Sequence, residues 1–134
     1  MSQLISDDAI ATVTIFQEAE GESMEGKVAV AEVIHNRTLF KFMCNGTVMD
    51  ACLRAYQFSG WNTQSKNRVR SLMVNDANPL VLQCLDAWHQ AQGGSNTVKG
   101  AVLYYNPKLV PDKPVWANPD HYVCTIGAHD FFTA

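Results

Sequence analysis

The sequence predicts an α+β domain, mainly α, with a small β element and a β-rich C-terminal segment. Three observations carry this. Capped segments with apolar stripes fill most of the chain up to Gln92. A polar, aromatic and glycine-containing stretch, Gln57 to Asn62, interrupts them. Beyond the loop Gly93-Gly94-Ser95-Asn96 the pattern changes to short aromatic segments that alternate weakly.

The first helix begins at Ser6, a good N-cap, with Asp7 and Asp8 in the first turn where the helix dipole favours negative charge. Ile10, Val13 and Thr14 form one stripe, and steps of three and four carry it to Gln17, Glu18 and Gly21. Glu18 therefore lies in the register of the apolar face, whereas Glu20 and Glu22 turn more towards water. Desolvation disfavours an ionised carboxylate, and a proton donor at neutral pH needs that shift. Glu18 is the candidate buried acid. Glu22 is the second candidate, and from its place before Ser23 it is expected to serve the free N–H groups of the next helix.

The second helix is expected from Ser23 to Thr38, with Glu25, Lys27 and Glu32 on its polar side and Ala29, Val30, Val33 and Ile34 in the core. Asn45-Gly46 signals a turn. Thr47 then starts a third helix with Asp50 as a capping-box-like partner, and this helix carries Val48, Cys52 and Tyr56 inward. Two more helices are expected, Ser65 to Val74 and Asn78 to Gln92. The latter has Asn78 as N-cap, Pro79 in the first turn and Gly93 after its end; Leu82, Leu85, Ala87 and Trp88 make its apolar face. Ala101 to Pro107 reads as extended, so Tyr104 and Tyr105 face opposite sides, one to the core and one to a cleft. Pro111, Pro114 and Pro119 make a loop in which Trp116 is an anchor or a ligand platform. His121 to Ile126 reads as a strand that Gly127 turns into His129-Asp130-Phe131-Phe132.

With 134 residues, 47% of them hydrophobic and 17% charged, the chain suits one soluble domain over residues 1–134 with a sizeable core. A net charge of −3 gives no basic footprint, which argues against nucleic-acid binding and against charge-driven adsorption to an anionic envelope. No stretch approaches a membrane span, so stable membrane insertion is not expected. Cys44, Cys52, Cys84 and Cys124 form no C-x-x-C pair and are expected as free thiols. His35, His89, His121 and His129 show no zinc-type spacing, so no metal and no cofactor is expected.

The pattern Glu18-x-x-Gly21-Glu22-x-x-x-Gly26-x-x-Ala29-Val30-Ala31-x-Val33-x-x-Asn36-Arg37 resembles the cell-wall hydrolase family that contains the spore-cortex-lytic enzymes of bacilli. Gln57-Phe58-Ser59 resembles that family's central element. Tyr105-Asn106-Pro107, Trp116-Ala117 and Ile126-Gly127-x-His129-x-Phe131-Phe132 resemble its C-terminal block. The resemblance spans about residues 10 to 132, and four blocks in order are more specific than any one. It implies a lysozyme-like fold and cleavage of peptidoglycan glycan strands, usually as a lytic transglycosylase, with Glu18 as the acid.

In such a fold the stretch from Gln57 to Asn62 forms one wall of the cleft. Gln57, Ser59 and Trp61 supply the amide, hydroxyl and aromatic groups that sugar binding uses, with Phe58 in the core; the alternative is a tight turn with Phe58 and Trp61 packed inward. The resemblance favours Tyr105 with Asn106 in the cleft and tilts His129 towards the site, where it orients substrate or else bonds backbone.

One acid suffices for a lytic transglycosylase, which cuts between N-acetylmuramic acid and N-acetylglucosamine and leaves a 1,6-anhydro end. A hydrolase needs a second carboxylate, for which Glu22 and Glu32 are the nearby options. A zinc-dependent N-acetylmuramoyl-L-alanine amidase and a non-catalytic peptidoglycan-binding module are the alternatives. The N-terminus has no positive start and no long apolar run, so no signal peptide is expected. That suggests a phage endolysin, or equally a prophage-derived copy, held in the host cytoplasm until a holin-type pore releases it to the periplasm or wall; a monomer is expected.

Overall fold

The computed structural model describes residues 6–54, 58, 61, 74–75 and 77–134. Among the described residues four helices come first: α1 (Asp7–Ala19), α2 (Met24–Phe40), α3 (Val48–Leu53) and α4 (Pro79–Gln92). Then follow β1 (Leu103–Tyr105), a 3-10 turn (Pro119–His121), β2 (Tyr122–Ile126) and β3 (His129–Phe132). The last strand lies in the middle of a three-stranded sheet ordered β1-β3-β2 and is antiparallel to both neighbours. The helix expected from Ser65 lies outside the described residues except for Val74.

The helix starts follow the local chemistry. Ser6, Ser23, Thr47 and Asn78 are the N-caps, and each side chain accepts a hydrogen bond from a backbone N–H of the first turn. Ser23, not Glu22, serves the start of α2, through Gly26 N. At α3 the capping box is half made: Thr47 Oγ1 accepts from Asp50 N at 3.1 Å. The Asp50 carboxylate turns instead to Asn45 N at 2.7 Å and to Arg54 at 2.6 Å. Helix α2 runs on to Phe40, past the expected Thr38, and ends at Lys41 in the left-handed region.

Helix α2 is the centre of the molecule. One side packs with α1 and α4 around Ile15, Phe16, Val30, Ile34, Cys84 and Trp88. Its other side, through Ala29 and Val33, packs on Val98, Ala101, Ile126 and Phe131 of the sheet and its approach. Every residue from Gly26 to Ile34 is buried, so this stretch has no water-facing stripe. The expected polar side therefore does not exist: of its three charged residues, Glu25 is exposed, but Lys27 and Glu32 are 2% and 1% exposed. Each is satisfied locally. Lys27 Nζ donates to the carbonyls of Glu20 and Glu22. Glu32 accepts from Ser95 Oγ, Thr97 Oγ1 and Val98 N, at 2.8, 2.8 and 2.9 Å. Buried charges persist in proteins only with such partners.

Helix α4 buries Val81, Cys84, Ala87, Trp88 and Ala91. Of the expected face, Ala87 and Trp88 are buried and Leu85 is half-buried, but Leu82 is 49% exposed, because the i, i+3, i+7 row from Val81 is the one that meets α1 and α2. The buried indole of Trp88 donates to Asp8 Oδ1 at 2.9 Å, so its N–H is matched. No described helix is long and apolar enough to cross a membrane.

Candidate active site

The last turn of α1 presents Glu18 towards β1. Tyr104 donates its hydroxyl to Glu18 Oε1 at 2.6 Å. Burial raises the Glu18 pKa; the Tyr104 hydrogen bond and the nearby Arg37 charge oppose that rise. Burial together with the Glu18 charge drives the Tyr104 pKa well up, so Tyr104 remains a neutral donor. The pair is a carboxyl group that favours its proton, beside a phenol that does not release its own.

The strand that carries Tyr104 is held by the end of α2. Asn36 Nδ2 donates to the Ala101 carbonyl at 2.9 Å, and Arg37 Nε donates to the Val102 carbonyl at 2.7 Å. The Arg37 guanidinium also lies 4.8 Å from the ring centroid of Phe58, which is buried in the core as expected. The Asn-Arg pair at the end of the first motif therefore sets two carbonyls just before β1. Pairing across the sheet does the rest: Tyr104 lies opposite Phe131, with the rings 5.5 Å apart.

Alternation along β1 decides which tyrosine meets the acid, and it is Tyr104, not Tyr105. Tyr105 faces the other side, in an aromatic group with Phe132 and Trp116 at centroid distances of 5.9 and 5.7 Å. Asn106 closes a turn: its Oδ1 accepts from Lys108 N at 2.9 Å. Trp116 lines a cleft of about 520 Å³ together with Arg37, Phe42, Met43, Leu103, Tyr104 and Ala134. Pockets of this size hold small ligands and sugar units.

Trp61 packs against the helical core, and its indole N–H donates to Thr14 Oγ1 at 2.8 Å, one turn before Glu18. Gln57 and Ser59 lie outside the described residues. Glu22 is turned to the β2–β3 hairpin, where its Oε1 accepts from Ala128 N at 3.1 Å. His129 Nδ1 stands 3.2 Å from the same oxygen, out of line for a good hydrogen bond. Burial lowers the His129 pKa, and the charges of Glu22 and Asp130 push it back up. Among the described residues no three His, Cys, Asp or Glu side chains gather to hold a metal ion. The four cysteines are free thiols.

Sequence reasoning missed Tyr104 and Arg37 as neighbours of the acid. The Tyr-Tyr pair at the strand carried the signal, but alternation alone does not say which of two tyrosines faces inward. Arg37 was legible only as a motif residue.

Residues 21–132 match the cell wall hydrolases, and the chain belongs to that family of peptidoglycan-degrading enzymes. Glu18 sits just ahead of the matched span. Among solved structures, the chain is similar to the catalytic domain of the germination-specific lytic transglycosylase SleB from Bacillus anthracis. The two share 24% identity over 99% of this chain and 100% of that one, with a TM-score of 0.73. It is also similar to the catalytic domain of the Bacillus cereus SleB protein, at 24% identity over 95% and 89% of the two chains, with a TM-score of 0.75. Comparison with curated proteins found no match. The fold is thus the lysozyme-like α+β arrangement expected from the sequence.

Proposed function

We propose that the protein cleaves peptidoglycan glycan strands as a lytic transglycosylase, at the β-1,4 bond between N-acetylmuramic acid and N-acetylglucosamine. Glu18 is the acid and then the base. Because Tyr104 occupies Oε1, the proton of neutral Glu18 resides on Oε2, which is the oxygen that donates. That proton passes to the glycosidic oxygen as its bond to C1 breaks. The acetamido group of the muramyl residue supports the positive charge at C1. The C6 hydroxyl then bonds to C1 and returns its proton to the Glu18 carboxylate. Tyr104 stabilises that carboxylate between the two transfers.

The observation that supports this reading over hydrolysis is the employment of the other glutamates. Inverting and retaining hydrolysis both need a second carboxylate across the scissile bond. Glu32 is buried under three donors, and Glu22 is engaged by the Ala128 amide. Glu18 works in the proposed route without either. The similar Bacillus anthracis domain is a germination-specific lytic transglycosylase, which agrees with this reading.

The test is mass spectrometry of products from purified peptidoglycan, with wild type and Glu18→Gln side by side. Anhydro-muramyl ends from wild type alone are expected. Hydrated reducing ends would make the protein a muramidase; released stem peptides from both proteins would point to an amidase; no products from either would point to a binding module. Host lysis from within, as an endolysin admitted to the wall by a holin-type pore, is part of the same proposal. Cytoplasmic expression with and without a co-expressed pore protein tests it, lysis being expected only with the pore.

A further inference from the structure

The hairpin turn between β2 and β3 is built around Glu22. Gly127 has a φ of +57°, and a Cβ there would stand 2.8 Å from Glu22 Oε1, so glycine leaves that carboxylate room that a larger residue would take by displacing its end. The Ala128 amide then binds that oxygen, and His129, the next residue, places Nδ1 3.2 Å from it. The imidazole is largely enclosed, with a side-chain exposure of 12% against 19% for Glu22. Its ring stands edge-on to the Tyr104 ring, with centroids 5.0 Å apart and planes at 77°. Phe131 packs on the same tyrosine at 5.5 Å.

These contacts form a chain from the α1–α2 turn to the acid. Glu22 holds the hairpin turn, the turn sets His129, His129 and Phe131 confine the Tyr104 ring, and Tyr104 reaches Glu18. We infer that Glu22 and His129 are positioning residues that act on Glu18 through Tyr104, and that His129 does not contact the sugar. The inference rests on the proposed role of Glu18. It changes the part expected of His129 from the sequence, because the imidazole packs edge-on against Tyr104 with its Nδ1 beside the Glu22 carboxylate. The physical basis is that a phenol hydroxyl carried on a ring free to tilt loses its reach, and misplacements of about 1 Å cost catalysis on the order of 100-fold.

The test is a double-mutant cycle on the full chain, with turnover of purified peptidoglycan as readout. His129→Ala is expected to lower kcat by roughly 10-fold to 100-fold with KM little changed. The same substitution made in a Tyr104→Phe background is expected to cost less than about 2-fold further, since the hydroxyl it positions is already gone. Loss of the Tyr104 hydrogen bond also removes a contact that lowers the Glu18 pKa. The limb where activity falls with rising pH should therefore move to higher pH in His129→Ala and in Tyr104→Phe alike.

An equal loss in both backgrounds, or a loss confined to KM, overturns the inference and gives His129 a direct contact with substrate. If His129→Ala does not fold, His129→Phe carries the comparison. It keeps a ring against Tyr104 and is expected within about 3-fold of wild type; a loss as deep as that of Tyr104→Phe overturns the inference. Glu18→Gln separates the two claims. Full activity in that variant ends the catalytic reading itself, whereas an inactive Glu18→Gln with additive His129 and Tyr104 effects ends only the positioning role.

Discussion

Glu18 and Tyr104 are 86 residues apart in sequence, and their side chains meet at 2.6 Å. The first ends a helix and the second lies on the edge strand of the sheet. The contact exists because α2 packs on α1 with one side and on the sheet with the other, so that the site is assembled where three elements converge. A carboxyl group alone at a helix end would be solvated. Enclosed by the strand, it becomes a group whose pKa burial raises and that has one fixed donor.

Removal of that donor should be felt in the chemistry and in its pH dependence. Tyr104→Phe keeps the ring and its packing on Phe131 but loses the hydroxyl. A fall in kcat of roughly 100-fold is expected, as for other preorganised donors at developing charge. The Glu18 pKa should rise further, since the hydrogen bond lowers it. A pH–rate profile of the variant and wild type checks both effects.

Glu18→Gln should abolish turnover and raise stability at neutral pH. The sign follows from linkage. Burial raises the folded-state pKa of Glu18 above its unfolded value of about 4.3. The folded state therefore holds the proton more tightly, and the contribution is most favourable below the unfolded pKa. It is lost as pH rises through the folded pKa. A neutral amide removes the cost of an ionised buried group above that range. Melting curves at pH 7 and pH 4 should show the variant gaining most at pH 7 and little at pH 4.

Glu32 tests structure in place of chemistry. Glu32→Ala strands the Ser95 and Thr97 hydroxyls and the Val98 amide, which all donate to it. A loss of about 3 kcal/mol or more is expected, from charged hydrogen bonds broken and donors left unmatched. Urea denaturation measures it. Variant that remains folded should keep its turnover, because Glu32 is turned to the loop between α4 and β1 and not to Glu18.

Gly127→Ala should be costly in a different way. The added Cβ meets the Glu22 carboxylate at 2.8 Å, and the positive φ strains any L-residue. A destabilisation of about 1–2 kcal/mol from the backbone alone is expected. Thermal denaturation of Gly127→Ala in the wild-type and Glu22→Ala backgrounds separates the terms: cutting back the Glu22 side chain removes the collision and leaves the backbone strain.

Much of this was legible in the chain. Ser6, Ser23, Thr47 and Asn78 announced four helix starts by cap chemistry, and Gly127 announced the hairpin turn. Glu18 stood out because its register followed Ile10 and Thr14 into the core. What was hidden depended on the third dimension. Lys27 and Glu32 read as the polar side of a helix, since nothing local says that α2 is covered on every side. The burial of Val81 on α4 in place of Leu82, which stays in water, was set by where α1 and α2 lie. The choice between Tyr104 and Tyr105 rested on which face of β1 the sheet presents to α1, and strand alternation is silent about that.

Helix α2 also governs how such a protein can change over time. At its first turn Lys27 grips the two carbonyls of the turn after Glu18, and at its last Asn36 and Arg37 grip the two carbonyls ahead of Tyr104. One residue gained or lost between these points would swing the Asn-Arg pair by ~100° about the axis and shift it by ~1.5 Å. Surface loops such as Lys108 to Val115, whose residues are mostly exposed, can lengthen or shorten at little cost. The segment from Lys27 to Arg37 behaves as a ruler: single side chains along it are open to exchange for others of like size, whereas its length is not.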